Sequence, residues 1–200
     1  MQLHIKSKEI AWSGIMMAIG IILIILASVI ESSSLFLLAA SSFICGLVQR
    51  KFSVKISILF TIGTFILGMI LAPNKLYCFT FLGFSVYIVA AEIFRERLEK
   101  LYSEGNEKEA EKLKKISFAV KLVLYHFLLA IAVVSIKLFF GLKFSDILSV
   151  SLFDNKVNFV KSPTIIIILC IIAAEILWIL FDKAYIFFQN RYGGVIIRND

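Results

Sequence analysis

The chain has 200 residues, of which 60% are hydrophobic and only 18% are charged. Because an ordinary soluble domain is roughly 45–50% apolar, this composition excludes a soluble globular protein and indicates an integral membrane protein in a lipid bilayer. The formal net charge of +7 would suggest a nucleic-acid partner in a soluble protein. Here the basic residues collect in particular loops, so no nucleic-acid partner is expected.

Apolar runs of about 20 residues are long enough to cross a bilayer as helices. The expected fold is all-α, a single polytopic membrane domain over residues 1–200 with six transmembrane helices. The first run is longer than the apolar region of a cleaved signal peptide and is expected to be retained. The predicted helices cover residues 10–30, 35–48, 54–72, 76–94, 116–141 and 164–189.

Two connections between these helices are long. Residues 95–115 pair acidic with basic residues at four-residue spacing, as in Glu96 and Lys100, which is typical of an exposed helix. We expect a cytoplasmic helical segment there, either continuous or divided at Gly105. Residues 142–163 form the predicted external loop, with a small hairpin or a lid at its centre.

The distribution of lysine and arginine predicts the orientation of the chain. The N-terminus, the turn at 49–55, the 95–115 segment and the C-terminal tail carry most of the basic residues. The alternate loops carry few of them. By the positive-inside rule, both termini are expected in the cytoplasm, in a multi-pass protein of the cell membrane.

Glu175 interrupts the apolar sixth helix and is the first candidate for a functional residue. At about 1.5 Å per residue it lies close to the bilayer midplane. A charged group there costs roughly 2.5–3.5 kcal/mol, so it should be neutral, paired or facing a polar cavity. Tyr125 and His126 fall at a similar depth. Glu175 is therefore either a ligand or proton site, or a neutral carboxyl that holds two helices together.

Two other sets of residues have predicted structural or docking roles. Lys121 and Asp182 lie near the cytoplasmic ends of their helices and are expected to form a structural ion pair, for which Glu92 is a competing partner. Ala11, Gly14 and Ala18 place small side chains along the first helix. Such a groove lets another helix approach closely, either within the bundle or from a partner protein.

Sequence motifs for catalysis or cofactor binding are absent. The chain has no phosphate-binding glycine loop, no HExxH and no GxSxG. Its three cysteines lie in or beside apolar runs and are expected to be packing residues, and its two histidines are far apart. An enzyme is the least favoured class, and no cofactor, metal site or catalytic residue is expected.

This arrangement resembles the substrate-binding S components of energy-coupling factor (ECF) transporters. Those are small six-helix proteins with both termini inside, and a small-xxx-small motif on their first helix meets the transmembrane T component. Gly14-x-x-x-Ala18 stands at the matching place. The PNK turn, KL in the fifth helix and FD in the sixth also resemble a group of Firmicute membrane proteins, a likeness without a functional expectation.

The S-component resemblance implies a vitamin-like small molecule bound in an outward cavity. It also implies two kinds of partner, a T component and ATPase subunits that supply energy. The residues placed by depth to line the cavity are Glu31, Asn74, Tyr77, Lys137, Glu175 and Trp178.

A second reading is a non-transporting scaffold of a cell-envelope complex, similar to the rod-shape-determining MreD proteins. The first external loop is only ESSS, whereas S components often cap their ligand with a long one. In this chain, capping would fall to the 142–163 loop. A scaffold would have a sealed apolar core, and a binding subunit would have an outward cavity lined by polar residues.

Overall fold

A computed structural model describes residues 7–140 and 163–193. Every regular element in these two ranges is helical and none is a strand, so the all-α prediction is confirmed for this part of the chain. The helices are α1 (Ser7–Val29), α2 (Ser34–Lys51), α3 (Val54–Leu71), α4 (Lys75–Ser103), α5 (Glu107–Phe140) and α6 (Pro163–Phe188). A 3-10 turn, Glu31–Ser33, precedes α2, and a π-helical turn, Gln189–Gly193, follows α6.

Four helices within the described ranges are long and apolar enough to cross a membrane. They extend over Glu9–Val29, Glu31–Lys51, Val54–Leu71 and Lys75–Ser103. The chain is therefore a helical membrane protein. The total of six transmembrane helices and the cytoplasmic location of both termini remain predictions. Residues 142–162, which include the predicted hairpin or lid, lie outside the described residues.

Short polar side chains begin α3 and α4. The Ser53 hydroxyl accepts a hydrogen bond from the Ile56 amide, 3.4 Å away, and the Asn74 side chain accepts one from the Leu76 amide at 3.1 Å. Each satisfies an amide that has no partner inside the helix. The ammonium of Lys75 donates to the Ala72 carbonyl at 2.8 Å, so the PNK turn satisfies both helix ends that it joins.

Gly105 ends α4 and reverses the chain into α5. Its φ of 74° lies in the left-handed region that glycine adopts without strain. The Gly105 amide donates to Tyr102, and the Asn106 amide donates to Leu101, the two bonds of a Schellman cap. With 29 residues, α4 is about 43 Å long and exceeds the roughly 30 Å apolar core of a bilayer.

α2 is the central helix of the first compact unit, which comprises the chain up to Leu124 and from Tyr185 onward. Residues 41–49 of α2 are all buried, and the helix packs against α1, α3 and α4. Small side chains allow this close approach. For example, the Ser41 hydroxyl donates to the Gly20 carbonyl of α1 at 2.9 Å.

The predicted outer half of these four helices is filled by apolar side chains. Phe81 and Cys78 of α4 are fully buried there beside Leu38 of α2 and Ile24 of α1. Tyr77 packs against the same cluster. At the predicted inner end, Lys51 lies 4.7 Å from the centre of the Trp12 ring, an arrangement suited to the membrane interface.

Residues Tyr125–Ala184 form a second compact unit. In the described ranges it comprises the second half of α5 and most of α6. Tyr125 of α5 donates a hydrogen bond from its hydroxyl to the Ala174 carbonyl of α6, at 2.7 Å. The Tyr125 ring also stacks on Trp178, with ring centres 6.0 Å apart. These contacts fix the register between the two helices.

Candidate functional site

The most buried charge in the described part of the chain is the carboxylate of Glu92 on α4, whose side chain is 1% exposed. Arg50, in the last turn of α2, binds it through both nitrogens of one edge. Its Nε lies 2.8 Å from Oε2, and its Nη2 lies 2.7 Å from Oε1. A bidentate arginine matches the planar carboxylate in geometry and in charge.

Two further donors complete the shell of Glu92. Arg95, one turn later on α4, places its Nε 2.6 Å from Oε2 and also pairs with Glu99. The Tyr185 hydroxyl of α6 donates to Oε1 at 2.5 Å. Each carboxylate oxygen therefore accepts two hydrogen bonds. We call the set of Arg50, Glu92, Arg95 and Tyr185 the inner polar cluster.

A glycine makes room for the inner polar cluster. A Cβ atom at Gly46 would overlap the Tyr185 hydroxyl and would lie 2.8 Å from Nε2 of Gln189. Gln189 donates from that nitrogen to the Tyr185 oxygen at 3.1 Å and to the Phe43 carbonyl at 3.4 Å. The end of α6 is thereby held against α2. Both oxygens of Glu92 are therefore engaged in contacts that join α4 to α2 and to the end of α6.

A second pair of titratable groups lies between α5 and α6. Nε2 of His126 is 2.8 Å from Oε1 of Glu175. Unlike Glu92, these groups are accessible, because their side chains are 49% and 35% exposed. Tyr125 and Trp178 flank the pair on the same two helices. We call the His126–Glu175 pair with Tyr125 and Trp178 the His–Glu site.

The His–Glu site pairs an imidazole with a carboxyl group at 2.8 Å. A carboxylate accepts hydrogen bonds, and an imidazole either donates or accepts depending on its protonation. The pair therefore offers hydrogen-bonding groups of two kinds to a polar molecule. Such groups inside an apolar helix pair mark substrate or proton pathways in many membrane proteins.

The structure brings together two of the residues predicted to line a cavity, Glu175 and Trp178. Trp178 is buried and stacks on Tyr125. This stacking contact occupies one face of the indole ring. The other predicted lining residues lie elsewhere. Glu31 is exposed in the 3-10 turn, Asn74 caps α4, and Tyr77 packs on the apolar cluster. The side chain of Lys137 is outside the described residues.

Ala11, Gly14 and Ala18 are all exposed on α1. A Cβ atom at Gly14 would meet no atom of the described residues within 4 Å, so the face that carries these three small side chains does not pack against the described part of the first unit. The ion pair predicted between Lys121 and Asp182 stays a prediction.

Sequence reasoning missed most of the inner polar cluster. The sequence indicated Glu92 only as a competing partner in the Lys121–Asp182 pair, and it did not single out Arg50, Tyr185 or Gln189. One signal was present. In the predicted topology α2 and α4 run in the same direction, and Arg50 and Glu92 each lie near the end of an apolar run, which puts them at a similar depth.

The described residues contain no group of three or more His, Cys, Asp or Glu side chains that could hold a metal ion. No family model, curated protein or solved structure matches this chain. A functional proposal therefore rests on the geometry of the two sites.

Proposed function

We propose that the chain is the membrane-embedded substrate-binding subunit of an importer for a vitamin-like micronutrient. The observation that supports this proposal best is the accessible His126–Glu175 pair. Nothing in the packing of α5 on α6 requires two ionisable groups there, since the Tyr125 hydroxyl bond to Ala174 and the Trp178 stack already join the helices. Placing an ionisable group in an apolar environment costs free energy. Because His126 and Glu175 are also partly exposed, they are suited to bind a polar molecule.

The same proposal assigns the energy source to other proteins. The sequence has no ATPase motif. We propose that separate ATPase subunits act through a T component that docks on Ala11, Gly14 and Ala18. The exposure of this small face, with open space above Gly14, supports such docking. In this role the protein is not itself an enzyme.

Co-purification tests the proposed partners. The tagged chain is purified in mild detergent from its own host, and the proteins retained are identified. We expect a T component together with paired ATPases. Recovery of cell-wall or division proteins without any ATPase contradicts the importer proposal.

Native mass spectrometry of the same preparation tests the site. We expect a small-molecule adduct on the wild-type protein that is lost in Glu175→Gln and in His126→Gln. Glu109→Gln is the matched control, because Glu109 is exposed in the first turn of α5 and is not part of the unit that contains the His–Glu site. An adduct retained equally in all three variants would contradict the proposed binding role of the His–Glu site.

A scaffold subunit is the second candidate, and one observation favours it. Phe81, Cys78 and Leu38 fill the predicted outer half of α1 to α4, and at the predicted inner end each oxygen of Glu92 already accepts two hydrogen bonds. A sealed core of this kind suits a protein that holds partners in place. In that case Glu175→Gln leaves every bound partner unchanged, and the pair only joins α5 to α6.

A further inference from the structure

Lysines on the first turns of α5 share one face of the helix. Lys108, Lys112 and Lys115 are spaced by four and three residues, and all three are exposed. Residues at this spacing lie on the same side of a helix. Ala110 and Ser117 are buried and mark the opposite side. The three ammonium groups therefore point away from the rest of the first unit.

The basic face leads directly into an apolar face that is also exposed. Ile116 and Val123 follow Lys112 by four and eleven residues, which keeps them on the same side, and they are 54% and 67% exposed. Ala119 lies between them and is exposed as well. In a helix that crosses a bilayer, this apolar stripe faces lipid. Lys112 and Lys115 then lie at the level of the headgroups.

Acidic residues on α5 are positioned farther from the lipid. Glu107, Glu109 and Glu111 all precede Lys112 in the chain, and the last charges before Ile116 are Lys112, Lys114 and Lys115. The net charge next to the apolar stripe is therefore positive. Lys114 is exposed too, but it is about 160° around the helix from Lys112, at roughly 100° per residue.

We propose that Lys108, Lys112 and Lys115 bind the phosphate groups of anionic phospholipids in the inner leaflet. A phosphodiester is a compact anion that a lysine ammonium recognises as a point charge. Lipid is the partner because the basic face and the lipid-facing stripe are continuous on one helix. A soluble acidic protein would need no such alignment. This inference does not depend on the proposed transport function.

The test uses the full-length protein in nanodiscs of phosphatidylcholine doped with phosphatidylglycerol. Native mass spectrometry then counts the lipids of each type that stay bound on release from the disc. We expect phosphatidylglycerol to be enriched on the wild-type protein. Since a juxtamembrane lysine contributes about five-fold to binding of an anionic surface, Lys112→Gln should reduce the enrichment by about that factor.

Lys114→Gln is the matched control, because it removes the same charge at nearly the same depth from another face. We expect it to retain the enrichment, and we expect Lys112→Arg to restore it. Equal losses in Lys112→Gln and Lys114→Gln would show an effect of net charge alone and would overturn the proposal, as would no loss in either. Circular dichroism of each variant verifies that the helices are intact. Neither result bears on ligand binding at the His–Glu site.

Discussion

Both oxygens of the Glu92 carboxylate accept two hydrogen bonds each, three from arginines and one from Tyr185. Removing the charge while keeping the shape takes the buried carboxylate away from Arg50 and leaves Arg95 with Glu99 as its counter-ion. Breaking a buried pair in this way is strongly destabilising. We expect Glu92→Gln to lower the free energy of unfolding in detergent by about 3 kcal/mol.

The comparison variants for Glu92 separate charge from hydrogen bonding. Tyr185→Phe removes one hydrogen bond to a charged group and should cost roughly 2 kcal/mol. Glu99→Gln changes a carboxylate that is 65% exposed and should cost little. If Glu92→Gln is no more destabilising than Glu99→Gln, then the inner polar cluster does not hold the helices together.

Gly46 allows a second prediction at the scale of one residue. A methyl group there would overlap the Tyr185 hydroxyl, whereas a methyl group at Gly83 of α4 would meet no atom within 4 Å. We expect Gly46→Ala to lower the thermal unfolding temperature in detergent. Gly83→Ala should leave it unchanged or raise it slightly, because alanine favours a helix over glycine. The same response from both variants would contradict the close approach of α6 to α2.

The sequence allowed Glu175 to be placed near Tyr125 and His126, because depth along a helix follows from residue count alone. The partners of Glu92 could not be chosen in the same way. Several cations lay at a suitable depth, and the choice among them depends on which helices touch. Gly46 decides that contact, and its role is visible only once Tyr185 and Gln189 are in place.

At the scale of the helix, α1 has glycines on two different faces. Gly14 faces open space, whereas a Cβ atom at Gly20 would lie 3.4 Å from the Ser41 hydroxyl and 3.7 Å from Phe60. Gly20→Leu should therefore overpack the unit and destabilise it by about 1–3 kcal/mol. Gly14→Leu should leave unfolding unchanged and reduce recovery of ATPase subunits in the pull-down.

The two glycines also separate a docking role from a packing role. A loss of stability in Gly14→Leu would mean that this face packs inside the bundle. Undiminished recovery of a T component in Gly14→Leu would rule out docking at that point. Unfolding and pull-down are measured on the same preparations, so a partner lost through misfolding is recognised.

Helix positions were easier to predict from the sequence than helix contacts. The apolar runs and the Pro73 and Gly105 breaks follow from local chemistry. The central position of α2 does not follow from local chemistry. A central helix is expected to be apolar, and α1 and α3 meet that expectation as well. Residues such as Ser41, Cys45 and Gly46 indicate tight packing, but they do not tell which neighbours are packed.

At the scale of the whole molecule, the orientation prediction can be tested at two exposed turns. Ser32 follows α1 and Ser103 ends α4, and both are exposed. In intact cells, a membrane-impermeant maleimide should label Ser32→Cys and should label Ser103→Cys only after the membrane is opened. The unmodified chain, which carries only its native cysteines, measures the background labelling. The reverse pattern would place both termini outside.

The shell of Glu92 also has a consequence for biogenesis. Ribosomes deliver α2 to the membrane before α4, so Arg50 is already present when the carboxylate enters the bilayer. Tyr185 arrives only with α6. A nascent chain that stops before Tyr185 therefore lacks one of the four hydrogen bonds to the carboxylate until α6 is made.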